Sequence, residues 1–384
     1  MFKQYKLRNY KFILVMYVMI LNVIGILLIG SAKPSVQSKQ ILGMIAGLTI
    51  MVMLSLIDYN FILKFSWLIY FFMIGVLLLV MFAGDDAGGA QRWFEIGSFR
   101  FQPSELAKIL IILFFAYFFM KHEEKINTPK VLILSFVLAG IPLALILKQP
   151  DLSTTIVTAL IFAALLFVAG LSYKIVTGVL AVSIPSAVIM FTLLIQDKLP
   201  FIKSYQVTRV MAWLYPDDYP QASMQSRYSM YAIGFGGILG RGLGRGTMKY
   251  YLPFSTNDFI FGVIGEELGL VGCGLVVFLF VYQVWRIFTV AQHAKDKLGS
   301  YMAFGVGIHV ALQVILNIGV ATGVLPNTGI SLPYISYGGT ALLLQLCEMG
   351  IVLNISRQIP GRRVRIGDSS QKSEHEEHRQ IHAA

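Results

Sequence analysis

About ten stretches of the chain are apolar for long enough to cross a lipid bilayer, near residues 12–31, 40–57, 65–83, 104–120, 130–147, 152–170, 173–195, 258–282, 300–323 and 338–356. A segment inside lipid must satisfy its backbone hydrogen bonds by itself, and a helix of roughly 20 apolar residues does so. The sequence therefore predicts an all-α polytopic membrane protein of about ten transmembrane helices. Of its 384 residues, 56% are hydrophobic and 13% charged, about half the charged share of a soluble domain. No room remains for a sizeable soluble domain. The net charge of +11 needs no nucleic acid, because inner-membrane proteins concentrate Lys and Arg on cytoplasmic loops.

Basic residues fix the expected orientation. Lys3, Lys6, Arg8 and Lys11, then Lys64, then Lys121, Lys125 and Lys130, then Lys174, then Arg286, Lys295 and Lys297 fall on alternate connections, and Arg357, Arg362, Arg363, Arg365, Lys372 and Arg379 follow the last span. Both termini are expected to be cytoplasmic. The layout is a short cytoplasmic segment over 1–11, a membrane domain over 12–358 and a disordered cytoplasmic tail over 359–384. The first apolar run lacks a small-residue cleavage site, so it reads as a retained helix rather than a signal peptide. Cys273 and Cys347 lie in apolar runs and make neither a disulfide framework nor a metal-ligand spacing.

Three connections on the opposite side, 84–103, 196–257 and 324–338, are too polar and too rich in Gly and Pro to be idle turns. The largest, an extracellular loop between the seventh and eighth spans, is too long to lack structure. Short interfacial helices are expected in it around 205–214 and 223–235.

Ionisable residues at membrane depth are costly and so are functional candidates. The segment Lys249 to Gly269 begins polar and becomes a long apolar run, with Asp258 at the change. Ser255, Thr256 or Asn257 is expected to cap a helix that has Asp258 in its first turn, where the helix dipole favours a carboxylate. At spacings of three and four, Asp258, Gly262, Gly265 or Glu266, and Gly269 share a small, acidic face suited to a groove.

Other candidates cluster at the same helix ends. Arg92-Trp93 precedes Gln102-Pro103-Ser104-Glu105, where Glu105 and Lys108 can pair at i, i+3. Lys148-Gln149-Pro150-Asp151 packs a cation, an amide and an acid into one turn, with helix capping an equally good account of Asp151. The large loop carries Tyr205, Gln206 and Arg209, then a glycine-rich stretch with Arg241 and Arg245 whose amides and guanidinium groups invite a phosphate-binding reading. Residues 325–340 form a rigid polar hairpin that includes Ser336. Together these suit a lipid-linked diphosphate.

Taken in order, Arg92-Trp93, Gln102 to Glu105, Lys148 to Asp151, Tyr205-Gln206 with Arg209, Asp258 to Phe261, Gly265 to Gly269 and Leu332 to Gly339 resemble the shape, elongation, division and sporulation family, over roughly residues 10–358. The resemblance implies a ten-helix peptidoglycan glycosyltransferase of the bacterial plasma membrane, with an outward active site. Such an enzyme polymerises lipid II beside a class B penicillin-binding protein. It implies Asp258 as catalytic base and Trp93 as a sensitive site residue. Glu105, Lys108, Lys148, Asp151, Arg209, Arg241, Arg245, Lys249 and Ser336 are the further substrate-binding candidates. A divalent cation, Mg or Mn, held by Asp258, Glu105 or Asp151 would help to disperse the leaving group's charge. Two other classes compete: a lipid II flippase, and a non-catalytic scaffold for the penicillin-binding protein. One departure from the family stands out, since Phe254 and Thr256 occupy positions where a Glu and a His or Gln are usual.

Overall fold

The computed structural model describes residues 11–86, 91–96, 99–196 and 204–358. The expected N-terminal segment, save Lys11, and the expected tail lie outside the described residues. Among the described residues the secondary structure is helical apart from one small sheet. The helices are α1 (Phe12–Ala32), α2 (Pro34–Leu56), α3 (Tyr59–Leu63), α4 (Ser66–Ala83), α5 (Pro103–Lys121), α6 (Pro129–Lys148), α7 (Leu152–Val168), α8 (Tyr173–Ile195), α9 (Ser204–Leu214), α10 (Pro220–Gly236), α11 (Ile260–Gln292), α12 (Lys297–Ala321) and α13 (Gly339–Arg357). Among the described residues, nine helices are long and apolar enough to cross a membrane, and the 17 residues of α7 form a shorter apolar helix. At 1.5 Å per residue α7 is about 26 Å long, close to a hydrocarbon core when upright.

The bundle is organised around α5, most of whose residues are buried. Tyr70 lies 4.6 Å from Phe114, and Phe115 lies 4.8 Å from Phe162, which ties α4 and α7 to it. Around this centre α12 packs on α5, α7 and α11, while α2 packs along α13. By contrast α8 exposes nearly its whole surface and meets the rest chiefly through α9. The end of α13 lies beside the α2–α3 junction, since Asn354 donates to the Leu54 carbonyl at 2.9 Å and Gln358 to Asp58 at 3.4 Å.

The three long connections gather at the other end, here called the loop face. Connection 84–103 is an antiparallel sheet, β1 (Asp85–Asp86), β2 (Gln91–Ile96) and β3 (Phe99–Phe101), which the sequence reading left without strands. Thr340 bonds the Arg100 carbonyl and so joins β3 to the start of α13. The expected interfacial helices exist as α9 and α10. The second span starts at Pro34, six residues before its apolar run, because proline is preorganised for a helix's first turn and needs no donor there.

Contrary to the sequence expectation, α11 begins at Ile260 with no side-chain cap, so Asp258 lies in the preceding turn and not in the first helical turn. Its 33 residues bend at Gly269, whose φ of 68° and ψ of −168° are open to glycine. The 23 residues beyond the bend reach about 35 Å and suffice to span alone.

Candidate functional site

Asp258 is held from three directions through its neighbours and its own main chain. The Asn257 amide donates to the Tyr337 carbonyl at 2.8 Å, and the Tyr337 N–H donates to the Thr256 carbonyl at 2.7 Å. Ser336 donates its hydroxyl to the Asn257 carbonyl at 2.7 Å. Asn317, buried on α12, donates to the Asp258 carbonyl at 2.7 Å and to the Ile330 carbonyl at 2.8 Å. The backbone is thereby fixed while the carboxylate is left over: no described residue donates a hydrogen bond to it. Desolvation raises its pKa to about 6, against the opposing pull of the Arg209 guanidinium. A half-buried carboxylate with no donor among the described residues has its lone pairs open to accept a proton.

Arg209 reaches this place through a chain of contacts from three separate connections. Arg92, on β2, donates Nε to the Gln149 carbonyl at 2.7 Å, bonds the Pro150 carbonyl, and meets the Tyr205 hydroxyl at 3.0 Å. The Tyr205 hydroxyl donates to the same Pro150 carbonyl at 2.7 Å. One helical turn further on, Arg209 lies over the Tyr205 ring at 5.7 Å and donates to the Asn327 carbonyl at 3.4 Å. The motifs around Arg92, Lys148 to Asp151, Tyr205 to Arg209 and Asp258 thus converge at the loop face. Trp93 is half-buried in β2, and Lys148 is exposed at the end of α6.

Other candidates are occupied elsewhere. Lys249 is fully buried, bonded to Glu267 at 2.6 Å and to Ser31 at 2.6 Å, and is not free to meet a diphosphate. Lys108 is buried in a pair with Glu105 at 2.8 Å. Asp151 caps α7 by accepting the Thr154 N–H at 3.2 Å, and also accepts from Gln102 at 3.0 Å and Ser104 at 3.4 Å. Besides its bond to Asn257, Ser336 accepts the Leu332 N–H at 2.8 Å, so its hydroxyl is spent on the hairpin. No group of three His, Cys, Asp or Glu fit to hold a metal occurs among the described residues.

The glycine-rich stretch has a different use from the phosphate cradle its composition suggests. Arg241 N–H and Gly242 N–H donate to the Glu266 and Glu267 carbonyls, each at 3.0 Å, while Leu270 N–H and Val271 N–H donate back to Gly237 at 2.9 Å and Ile238 at 3.1 Å. The loop is stitched to α11 across the Gly269 bend, and a Cβ at Gly240 would collide with the Glu267 carbonyl. Arg241 donates to Thr247 at 3.1 Å and lies over Phe235 at 5.0 Å, and Arg245 is exposed on the same loop, so both belong to the far end of this segment from Asp258. The small face of α11 is likewise filled: a Cβ at Gly262 would meet Ser229 at 2.8 Å, and one at Gly265 would meet Ile233 at 2.7 Å, so α10 occupies the expected groove. Glu266 accepts the N–H groups of Thr247, Met248 and Lys249 at 2.6, 2.8 and 3.2 Å, a structural task.

Phe254, the departure noted in the sequence, sits in the turn before Asp258 with a φ of 56° and its ring exposed. Asn317 and a buried pair, His309 with Glu348 at 2.7 Å, were not singled out from the sequence. The signal existed, since His309 and Glu348 each interrupt an apolar spanning run.

The family of FtsW, RodA and SpoVE, described as "Cell cycle protein", matches the chain over residues 6–360. The "Probable peptidoglycan glycosyltransferase FtsW" of Geobacter sp. (strain M18) is 33% identical over 377 residues, covering 93% of this chain and 99% of that protein. The "Stage V sporulation protein E" of Bacillus subtilis (strain 168) is 32% identical over 368 residues, covering 90% and 96%. Among solved structures, a chain from a peptidoglycan synthase complex that coordinates polymerization and crosslinking superposes with a TM-score of 0.76 at 29% identity, covering 91% and 98%. The rod shape determining protein RodA of Thermus thermophilus superposes with a TM-score of 0.67 at 26% identity, covering 91% and 97%.

Proposed function

Because this chain belongs to the FtsW, RodA and SpoVE family of cell cycle proteins, we propose that Asp258 is the general base with which it polymerises lipid II. The protein is a multi-pass membrane protein and a peptidoglycan glycosyltransferase, and relatives matched over nine-tenths or more of their length are named probable peptidoglycan glycosyltransferases. The observation that carries the role of Asp258 is its carboxylate: held by its backbone, unmet by any described donor, and shifted to a pKa of about 6 beside Arg209.

In this reading Asp258 takes the proton of the acceptor's GlcNAc 4-hydroxyl as that oxygen forms a bond to C1 of the donor's MurNAc. The bond from C1 to the diphosphate oxygen breaks on the opposite side, which inverts the centre and releases undecaprenyl diphosphate. Charge grows on the departing diphosphate, and fixed cations lower the barrier most where charge develops. Arg209 is the cation best placed for this, with Lys148 exposed on the adjoining turn. Lys108 and Lys249 are not candidates, being buried and paired.

Two further elements belong to the same proposal. The loop face points outward from the bacterial cytoplasmic membrane, supported by the basic residues at the opposite ends of the spans. A class B penicillin-binding protein is the partner, supported by the likeness to a chain of a synthase complex that coordinates polymerization with crosslinking.

The test is polymerisation of purified lipid II in detergent, with the partner present, read as glycan strands on a gel. An Asp258→Asn protein that is folded and partner-bound is expected to lose about 10²–10⁴-fold in rate. Retention of the parental rate would remove Asp258 from the chemistry. A flippase or scaffold would make no strands in either case.

A further inference from the structure

Deep in the bundle, polar side chains converge from four elements. His309, Gln313 and Asn317 recur every four residues on α12 and so share one face over about 12 Å. Facing them on α13 are Glu348, which meets His309 at 2.7 Å, and Gln345, which donates to Gln313 at 3.2 Å and accepts the Tyr334 N–H at 2.9 Å. Gln283 on α11 reaches the Met349 sulfur at 3.6 Å. Tyr334, in the 332–337 turn, has Glu348 and Gln283 as polar neighbours of its phenol. All seven side chains are at least nine-tenths buried.

Five of their atoms have no hydrogen-bond partner in the protein: Gln283 Oε1, His309 Nε2, Gln313 Nε2, Asn317 Oδ1 and Glu348 Oε2, while the Tyr334 phenol meets the Gln283 side chain. The carboxylate, the Asn oxygen and the Gln283 oxygen accept, whereas the Gln313 amide donates, so the set is chemically complementary without being paired. A polar group left bare in a dry interior is costly, and buried water, with about three bonds per molecule, is the usual remedy. The stripe also has an open end, because Asn317 grips the main chain of Asp258, whose half-buried carboxylate borders solvent.

We infer that the seam between α11, α12, α13 and the 332–337 turn is an internal water-binding site. Ordered waters there complete the hydrogen bonds of Gln283, His309, Gln313 and Glu348 and continue to Asn317 beneath Asp258. About two waters of three bonds each would satisfy the set. The site is separate from sugar transfer and holds whether or not Asp258 is the base.

The experiment is X-ray hydroxyl-radical labelling of the full-length protein in detergent micelles, since radicals generated from bound water oxidise side chains beside it even when they are buried. Met349 is matched by Met51 and Met73, which are equally buried in the apolar core, whereas the Met349 sulfur meets the Gln283 amide. Tyr334 is matched by Tyr70, whose hydroxyl donates to the Leu138 carbonyl at 2.9 Å. Met349 and Tyr334 are expected to be oxidised several-fold faster than their matches, and equal rates would overturn the inference. In a folded Gln313→Leu protein the excess at Met349 is expected to fall, and an excess that persists unchanged would also overturn it.

Discussion

At Asp258 two electrostatic effects oppose each other: desolvation lifts the carboxyl pKa to about 6, and Arg209 pulls it down. A base must be ionised to accept a proton, so the polymerisation rate should hold above about pH 6 and fall as pH drops through that value. Replacing Arg209 removes the downward pull. For Arg209→Gln the acid limb of the pH-rate profile is expected to move to higher pH, by less than for a buried pair because the guanidinium is solvated. A limb that stays in place would mean that another group titrates. The sequence identified Asp258 from its place between a polar loop and an apolar run, but it put the residue inside a helix that starts two residues later. A cap is local chemistry, whereas the contacts that hold Asp258 come from Asn317, Ser336 and Tyr337, and no sequence window spans those separations.

Among the elements, α11 departs furthest from its sequence reading. Its glycines and carboxylates read equally well as an open acidic groove or as a surface for close packing. The structure takes the second, with α10 on the glycines and residues 247–249 on Glu266. The glycine-rich loop was open to the same two readings, because approach to a phosphate and approach to another backbone both require the absence of a Cβ. The buried pair of Lys249 and Glu267 fastens this arrangement to α1 through Ser31. Lys249→Met alone leaves a buried carboxylate unpaired and should destabilise the protein by about 3–5 kcal/mol, whereas adding Glu267→Leu should recover most of the loss. Thermal melting of both variants in detergent measures this. If the single and double variants melt together, the pair is not what holds the loop.

For the whole molecule, the helices were legible because lipid permits so few alternatives: all ten expected spans correspond to helices. The sheet was not legible, since its strands are short and built on a polar connection. Neither was the pairing of helices, because an apolar stripe does not name its partner. Orientation is testable at this scale. In a background with Cys273 and Cys347 replaced by serine, a membrane-impermeant maleimide should label Tyr250→Cys in intact cells and leave His293→Cys unlabelled until the membrane is opened. The reverse pattern would turn the loop face inward and exclude polymerisation outside the cell.

The packing of α2 along α13 has a consequence for how the protein is made. Gln40 on α2 donates to the Ser336 carbonyl at 3.1 Å, and Gly25 on α1 lies where a Cβ would come within 2.6 Å of the Ile335 carbonyl. The α1–α2 hairpin is therefore shaped for segments synthesised 296 residues later. Until they arrive it must wait in the bilayer with the buried amide of Gln40 facing lipid or a chaperone. This pairing closes only when α13 arrives, and a chain cut short before α13 loses the partner of α2.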